Sequence, residues 1–191
     1  MADSALDVLV ICGSLRQGSF NAALARALPA LAPAGLALRY AAPLDNIPPY
    51  NADVQDAGNP PSVVALTDAI RSADGLIIVS PEYNWSIPGV LKNAIDWVSK
   101  VKNQPFHGKP VALQSCATGL LGGSRMQYHL RQALTSIEAQ ILIRPEVFVT
   151  FSAKKFDQKT LELTDQPTKD MVKLQLEAYE KFLRRCTGKH A

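Results

Sequence analysis

The sequence predicts an α/β fold, a doubly wound three-layer sandwich with a parallel sheet between helices. Short runs rich in Val, Ile and Leu recur along the chain, and such runs suit strands that are covered on both faces. Each run is followed by a stretch with helical spacing of apolar residues, giving the order βαβαβαβαβα. That alternation is the signature of a doubly wound sheet. With 191 residues and no repeats or low-complexity linkers, the chain is expected to be one domain, residues 1–191, with a sizeable core.

The strands are expected at Leu6–Cys12, Leu36–Ala41, Gly75–Ser80 and Val111–Cys116, with a last one at Ile141–Val149 interrupted by Pro145. Between them, Ser19–Leu31 places Leu24, Leu28 and Leu31 on one helical face, with Pro29 bending or ending the helix. Pro61–Ser72 does the same with Val63, Leu66 and Ile70. Pro88–Ser99 opens on a Pro in its first turn, where the missing N–H costs nothing. Ser124–Ile137 spaces Met126, Leu130, Leu134 and Ile137 helically, and Pro167–Arg185 is the longest helix. Residues Pro43–Pro61, rich in Pro, Asn and Asp, read as one long irregular loop.

Binding chemistry is concentrated directly after the first strand. Cys12-Gly13-Ser14-Leu15-Arg16-Gln17-Gly18-Ser19-Phe20-Asn21 is a Gly- and Ser-rich turn that opens a helix. Unpaired N–H groups at a helix start, reinforced by the helix dipole, favour an anion. Ser14, Ser19 and Asn21 add short donors and Arg16 a fixed charge. Three familiar phosphate loops fail on nameable residues. Gly13 and Gly18 have P-loop spacing, but Ser19-Phe20 stands where that loop needs Lys and Ser/Thr. A dinucleotide G-x-G-x-x-G is absent, and a tyrosine phosphatase loop starting at Cys12 would need Arg where Gly18 stands. A single phosphate on a ligand other than a triphosphate is the surviving reading.

In such a sheet ligands bind beyond the carboxyl ends of the strands. The third strand leads into Ser80-Pro81-Glu82-Tyr83-Asn84-Trp85-Ser86-Ile87-Pro88-Gly89, and the fourth ends in Ser115-Cys116-Ala117-Thr118-Gly119-Leu120-Leu121-Gly122-Gly123. These two loops and the phosphate loop suit a phosphate joined to a flat polar ring.

Composition narrows the partners. The net charge is +3, and the basic residues are scattered apart from Arg184, Arg185 and Lys189, which gives no nucleic-acid stripe. No apolar run approaches the ~20 residues of a membrane span. Met1–Asp7 lacks the start of a secretory signal, so a cytoplasmic location is expected. The three cysteines (Cys12, Cys116, Cys186) and three histidines (His107, His129, His190) are dispersed, with no metal-like spacing.

Gly-Ser-Leu-Arg-x-x-Ser-x-Asn (Gly13 to Asn21), Pro-Glu-Tyr-Asn-x-Ser-Ile-Pro-Gly (Pro81 to Gly89) and Thr-Gly-Leu-Leu-Gly-Gly (Thr118 to Gly123), in this order, resemble the NADPH-dependent FMN reductase family and its bacterial chromate, quinone and azo reductases. The match extends through Leu91–Trp97. The resemblance implies a flavodoxin-like fold, a five-stranded parallel sheet of order 2-1-3-4-5, bound FMN, NADPH or NADH as donor, and a homodimer that in many members pairs into a tetramer. It implies that Ser14, Arg16, Ser19, Phe20 and Asn21 surround the FMN phosphate and ribityl chain. Pro81, Glu82, Tyr83 and Asn84 would line one edge of the isoalloxazine, and Ser115, Ala117, Thr118 and Gly119 the other. Glu82 is expected to bond its own loop or a neighbouring subunit rather than act as a general acid. Arg125 stands either near flavin and substrate or on the solvated surface, and Tyr128 and Glu146 are interface residues by the same analogy.

The chemistry then belongs to the cofactor, and no catalytic side chain is needed. The expected activity is an FMN-dependent NAD(P)H oxidoreductase working by a ping-pong mechanism on quinones, azo compounds, flavins and chromate-like oxyanions. Its alternatives are a flavodoxin-type electron carrier, a class that is typically acidic as this chain is not, and a non-catalytic module.

Overall fold

In the computed structural model, which describes residues 5–189, one sheet runs through the molecule. His190 and the first four residues of the Met1–Asp7 start lie outside the described residues. Strand β1 (Leu6–Cys12) lies between β2 (Leu36–Tyr40) and β3 (Gly75–Val79), and β3 pairs with β4 (Pro110–Cys116). All pairs are parallel, with Val10 opposite Ile77 and Val79 opposite Gln114. Two short strands share the fifth position: β5 (Gln140–Ile141) pairs with the start of β4, and β6 (Val147–Val149) with its end. The expected strand Ile141–Val149 is therefore two strands with Pro145 between them, since proline has no N–H for the ladder. The order 2-1-3-4-5 and the flavodoxin-like architecture hold.

Among the described residues five helices cover the sheet, α1 (Phe20–Leu31), α3 (Pro61–Ser72), α4 (Gly89–Ser99), α5 (Ser124–Thr135) and α6 (Gln166–Thr187), while the short α2 (Ala52–Ala57), with no buried residue, lies in the loop between β2 and α3. Alternation along the strands sends neighbouring side chains to opposite faces. Val8, Val10, Ile77 and Val79 meet Leu24 and Leu28 of α1 and Val172 and Leu176 of α6. Leu9, Ile11, Leu76 and Ile78 meet Ile70 of α3, Ile95 of α4 and Leu130 of α5. The sheet is thus buried from both sides, as its continuous apolar runs require.

Two expectations change in detail. Pro29 neither ends nor breaks α1, which runs on to Leu31. Proline at that position leaves the Ala25 carbonyl without its helical donor, and the Tyr40 hydroxyl supplies one at 3.0 Å. The loop Pro43–Pro61 is ordered: it holds a 3₁₀ turn, Leu44–Asn46, and the short α2. Trp97 Nε1 donates to the Pro48 carbonyl at 2.7 Å, and Asn93 bonds the same carbonyl and the Tyr50 N–H, so α4 pins the loop down.

Among the described residues, no helix is long and apolar enough to cross a membrane, and no group of three His, Cys, Asp or Glu side chains could hold a metal ion.

Beneath the far end of the sheet, the Tyr179 hydroxyl lies fully buried within reach of the Leu76 and Pro110 carbonyls, at 2.8 and 3.0 Å. Burial pushes its pKa well up, so it stays a neutral donor. Tyr179→Phe deprives two buried carbonyls of that donor and is expected to cost about 1–3 kcal/mol. Urea unfolding should show a lower midpoint at unchanged slope. An unchanged midpoint would contradict this role.

Candidate functional site

Because every strand is parallel, the loops after β1, β3, β4 and β6 emerge on one edge of the sheet and enclose a cleft of about 190 Å³. A larger groove, about 550 Å³, lies between α1, the Thr160–Leu163 segment and α6. It contains none of the Gly-rich strand-end loops.

The loop after β1 turns at Gly13, whose N–H bonds the Val79 carbonyl at 2.9 Å. A Cβ there would lie 2.3 Å from Ser80 Oγ, so only glycine lets the two loops approach. Ser14, Arg16, Ser19, Phe20 and Asn21 all line the cleft. Ser19 is the N-cap of α1 and accepts from the Ala22 N–H at 3.3 Å. The N–H groups of Phe20 and Asn21, in the first turn, have no partner among the described residues, as helix geometry dictates. Arg16 is exposed and forms no ion pair among the described residues. This end of the cleft therefore presents free donors and a free positive charge.

Asn21 does something other than was expected of its amide. Its Nδ2 donates to the Cys116 carbonyl at 3.0 Å and its Oδ1 accepts from the Cys116 N–H at 2.8 Å. The side chain is buried and its amide clamps β4, so it positions the cleft's walls.

After β3, Pro81, Glu82 and Tyr83 line the cleft, whereas Asn84 does not. Tyr83 and Ser86 exchange main-chain hydrogen bonds at 3.1 and 2.9 Å, which makes Asn84 and Trp85 the tip of a tight hairpin. Both tip residues have positive φ, 48° and 66°, the sign that such hairpin turns demand. Asn84 is suited to this conformation and Trp85 is strained in it. Glu82 has a side chain only 9% exposed. Its carboxylate accepts from Arg125 Nε at 2.8 Å and from the Met126 N–H at 3.2 Å, at the start of α5. Arg125 also lies over the Trp85 ring, 4.4 Å from its centroid. Glu82 is thus neutralised and fixed by its own chain, and the charge of Arg125 is compensated.

After β4, Ala117 and Thr118 line the cleft together with Cys116, but Ser115 and Gly119 do not. Ser115 is fully buried; its Oγ donates to the Gly122 carbonyl at 2.6 Å and accepts from Gln127 Nε2 at 2.8 Å. Its hydroxyl shapes the loop from behind the cleft's lining. Gly123 supplies the turn, with φ of 88° and a position 2.7 Å from Ser115 Cβ where a side chain would collide. Burial pushes the Cys116 thiol far above the ordinary range, which leaves it protonated and removes it as a nucleophile.

The sequence reading missed Cys116 and Ser152 as lining residues. Ser152 lies after β6, and the parallel topology itself was the available signal, since a fifth parallel strand must deliver its following loop to the same edge. The assembled cleft has no paired acid and base and no activated nucleophile. It can hold an anion at its α1 end and a flat group between the loops after β3 and β4.

Residues 6–154 match the family described as NADPH-dependent FMN reductase. The chain is 47% identical to the quinone reductase of Escherichia coli strain K12 over 181 residues, covering 94% of this chain and 96% of that protein. It is 42% identical to an NAD(P)H-dependent FMN reductase of Pseudomonas aeruginosa, covering 96% of this chain and 98% of that one. Among solved structures, FerB, a flavoenzyme NAD(P)H:(acceptor) oxidoreductase from Paracoccus denitrificans, matches with a TM-score of 0.86 at 30% identity, covering 95% of this chain and 98% of that chain. The chain belongs to the NADPH-dependent FMN reductase family.

Proposed function

We propose that the protein binds FMN in the strand-end cleft as a single FMN-binding domain and uses NADPH or NADH to reduce quinones, with azo compounds, flavins and oxyanions as further acceptors. The observation that carries this reading is the polarity of the cleft. One end gathers Ser14, Ser19, the unpartnered N–H groups of Phe20 and Asn21 and the unpaired Arg16, while the other is walled by Pro81–Tyr83 and Ala117–Thr118. That donor set fits a phosphate monoester dianion, and the buried, unpartnered hydroxyl of Ser152 beside it fits the same group.

FMN, when bound, supplies hydride acceptance and one- or two-electron donation. The protein's residues have the remaining tasks. Arg16 and the α1 N-terminus neutralise the phosphate. The main chain of Pro81–Tyr83, held by the Tyr83–Ser86 hairpin and by Glu82 on α5, fixes one edge of the ring. Ala117 and Thr118 fix the other edge, on a loop tied down by Asn21 and Ser115. Donor and acceptor use one open face in turn.

That sharing predicts ping-pong kinetics. Double-reciprocal plots of rate against NADPH at several quinone concentrations should be parallel, and NADPH alone should bleach the bound flavin. Intersecting lines would contradict the shared face. A flavin that NADPH leaves oxidised would make the protein an electron carrier.

The same reading includes a homodimer, with further pairing into a tetramer. Trp85 and Leu120, 66% and 70% exposed, stand with Tyr83, Leu121 and Tyr128 on the loops around the cleft and on α5. Clustered large apolar side chains of this kind mark an interface. If a two-fold partner completes each site, dilution below the dimer dissociation constant should release FMN and abolish turnover together. A monomer in sedimentation that keeps its flavin and full activity would refute it.

A further inference from the structure

Ser152 follows β6, on the wall of the cleft that none of the three motif loops supplies. Only 1% of it is exposed, and its Oγ, buried, has no hydrogen-bond partner. Leaving a buried hydroxyl unpaired is unfavourable, and among the described residues no other lining residue of the cleft carries such an atom.

The main chain around Ser152 is firmly set. Its N–H donates to the Ala117 carbonyl at 3.1 Å, and the Phe151 N–H donates to the Gly119 carbonyl at 3.2 Å, lacing the segment to the loop after β4. Phe151 adopts a left-handed conformation, with φ of 48°, to make that turn; a bulky residue takes up such a backbone only when its surroundings impose it. The backbone of Ser152 is held while its hydroxyl is left free. With no partner in the chain, the hydroxyl has no hydrogen bond to lose in turning toward the cleft.

The neighbours decide which end of the cleft Ser152 serves. Ala117 follows Cys116, whose main chain is clamped by Asn21 in the first turn of α1. The Phe156 ring, a turn beyond Ser152, lies 5.3 Å from that of Phe20, the first residue of α1. Ser152 therefore adjoins the α1 N-terminus, where the anion is held.

We propose that Ser152 is a further FMN ligand, its hydroxyl turning to donate to the phosphate and so completing the donor set of Ser14, Arg16, Ser19 and the α1 N–H groups. This rests on the FMN reading above.

The test compares wild type and Ser152→Ala, measuring FMN and riboflavin affinity by quenching of flavin fluorescence and the thermal midpoint of the flavin-free proteins. Loss of a hydrogen bond to a charged group should weaken FMN binding about ten- to hundred-fold. Riboflavin, which lacks the phosphate, should be bound within about two-fold of wild type. The flavin-free midpoint should stay level or rise, because the substitution removes a buried hydroxyl that had no partner. Unchanged FMN affinity, equal losses for FMN and riboflavin, or a lower flavin-free midpoint would each overturn the assignment, the last by making Ser152 a structural residue. A wild-type protein that binds no FMN would instead overturn the reading of the whole cleft, and this assignment with it.

Discussion

The cleft depends on one pair of hydrogen bonds, those between the Asn21 amide and both main-chain groups of Cys116. At Cys116 the ladder between β3 and β4 has already ended, at Val79 opposite Gln114, so its N–H and carbonyl would point past the end of β3 with no strand to bond. Buried main-chain groups need partners, and a single primary amide, with a donor and an acceptor on one planar group, serves both. The consequence reaches beyond stability. Asn21 sits in the first turn of α1, so the donor-rich helix start and the loop that begins at Ala117 are fixed to each other.

The other walls are set by the same kind of contact. Gly13 lets the first loop lie against Ser80. Glu82 ties the loop after β3 to the start of α5, and Ser115 ties β4 to Gly122. These polar side chains near the cleft are consumed by structure, while Arg16, Ser152 and the first N–H groups of α1 are left for a ligand. Such a division is what pre-organisation means physically: ordering is completed in folding and is not charged to binding. In the proposed reading the site needs no lysine: a helix start, hydroxyls and one arginine supply the positive potential for a single phosphate, while Glu82 compensates the charge of Arg125.

Much of this was legible in the sequence. Apolar runs at Leu6–Cys12 and Val111–Cys116 read as buried strands because burial on both faces leaves no polar alternation to confuse them. The donor-rich end of the cleft was legible because a helix start preceded by Gly and Ser leaves unpaired N–H groups facing outward. What could not be read was how polar residues divide between ligand and scaffold. Asn21 finds its partner 95 residues away, and Ser115 is turned inward by a glycine pair whose φ values no composition reveals. Asn84 matched a motif, yet a hairpin turn places it at the tip, outside the lining. Ser152 has no motif around it, and only the parallel topology brings it to the cleft.

The central claim is that the Asn21–Cys116 clamp sets the cleft geometry on which FMN binding depends. It is tested most directly by the FMN dissociation constant of Asn21→Ala, titrated where circular dichroism shows the variant folded. Loss of two buried hydrogen bonds to the wall of the cleft should weaken FMN by about ten-fold or more. A folded Asn21→Ala protein that binds FMN within about two-fold of wild type would contradict the account.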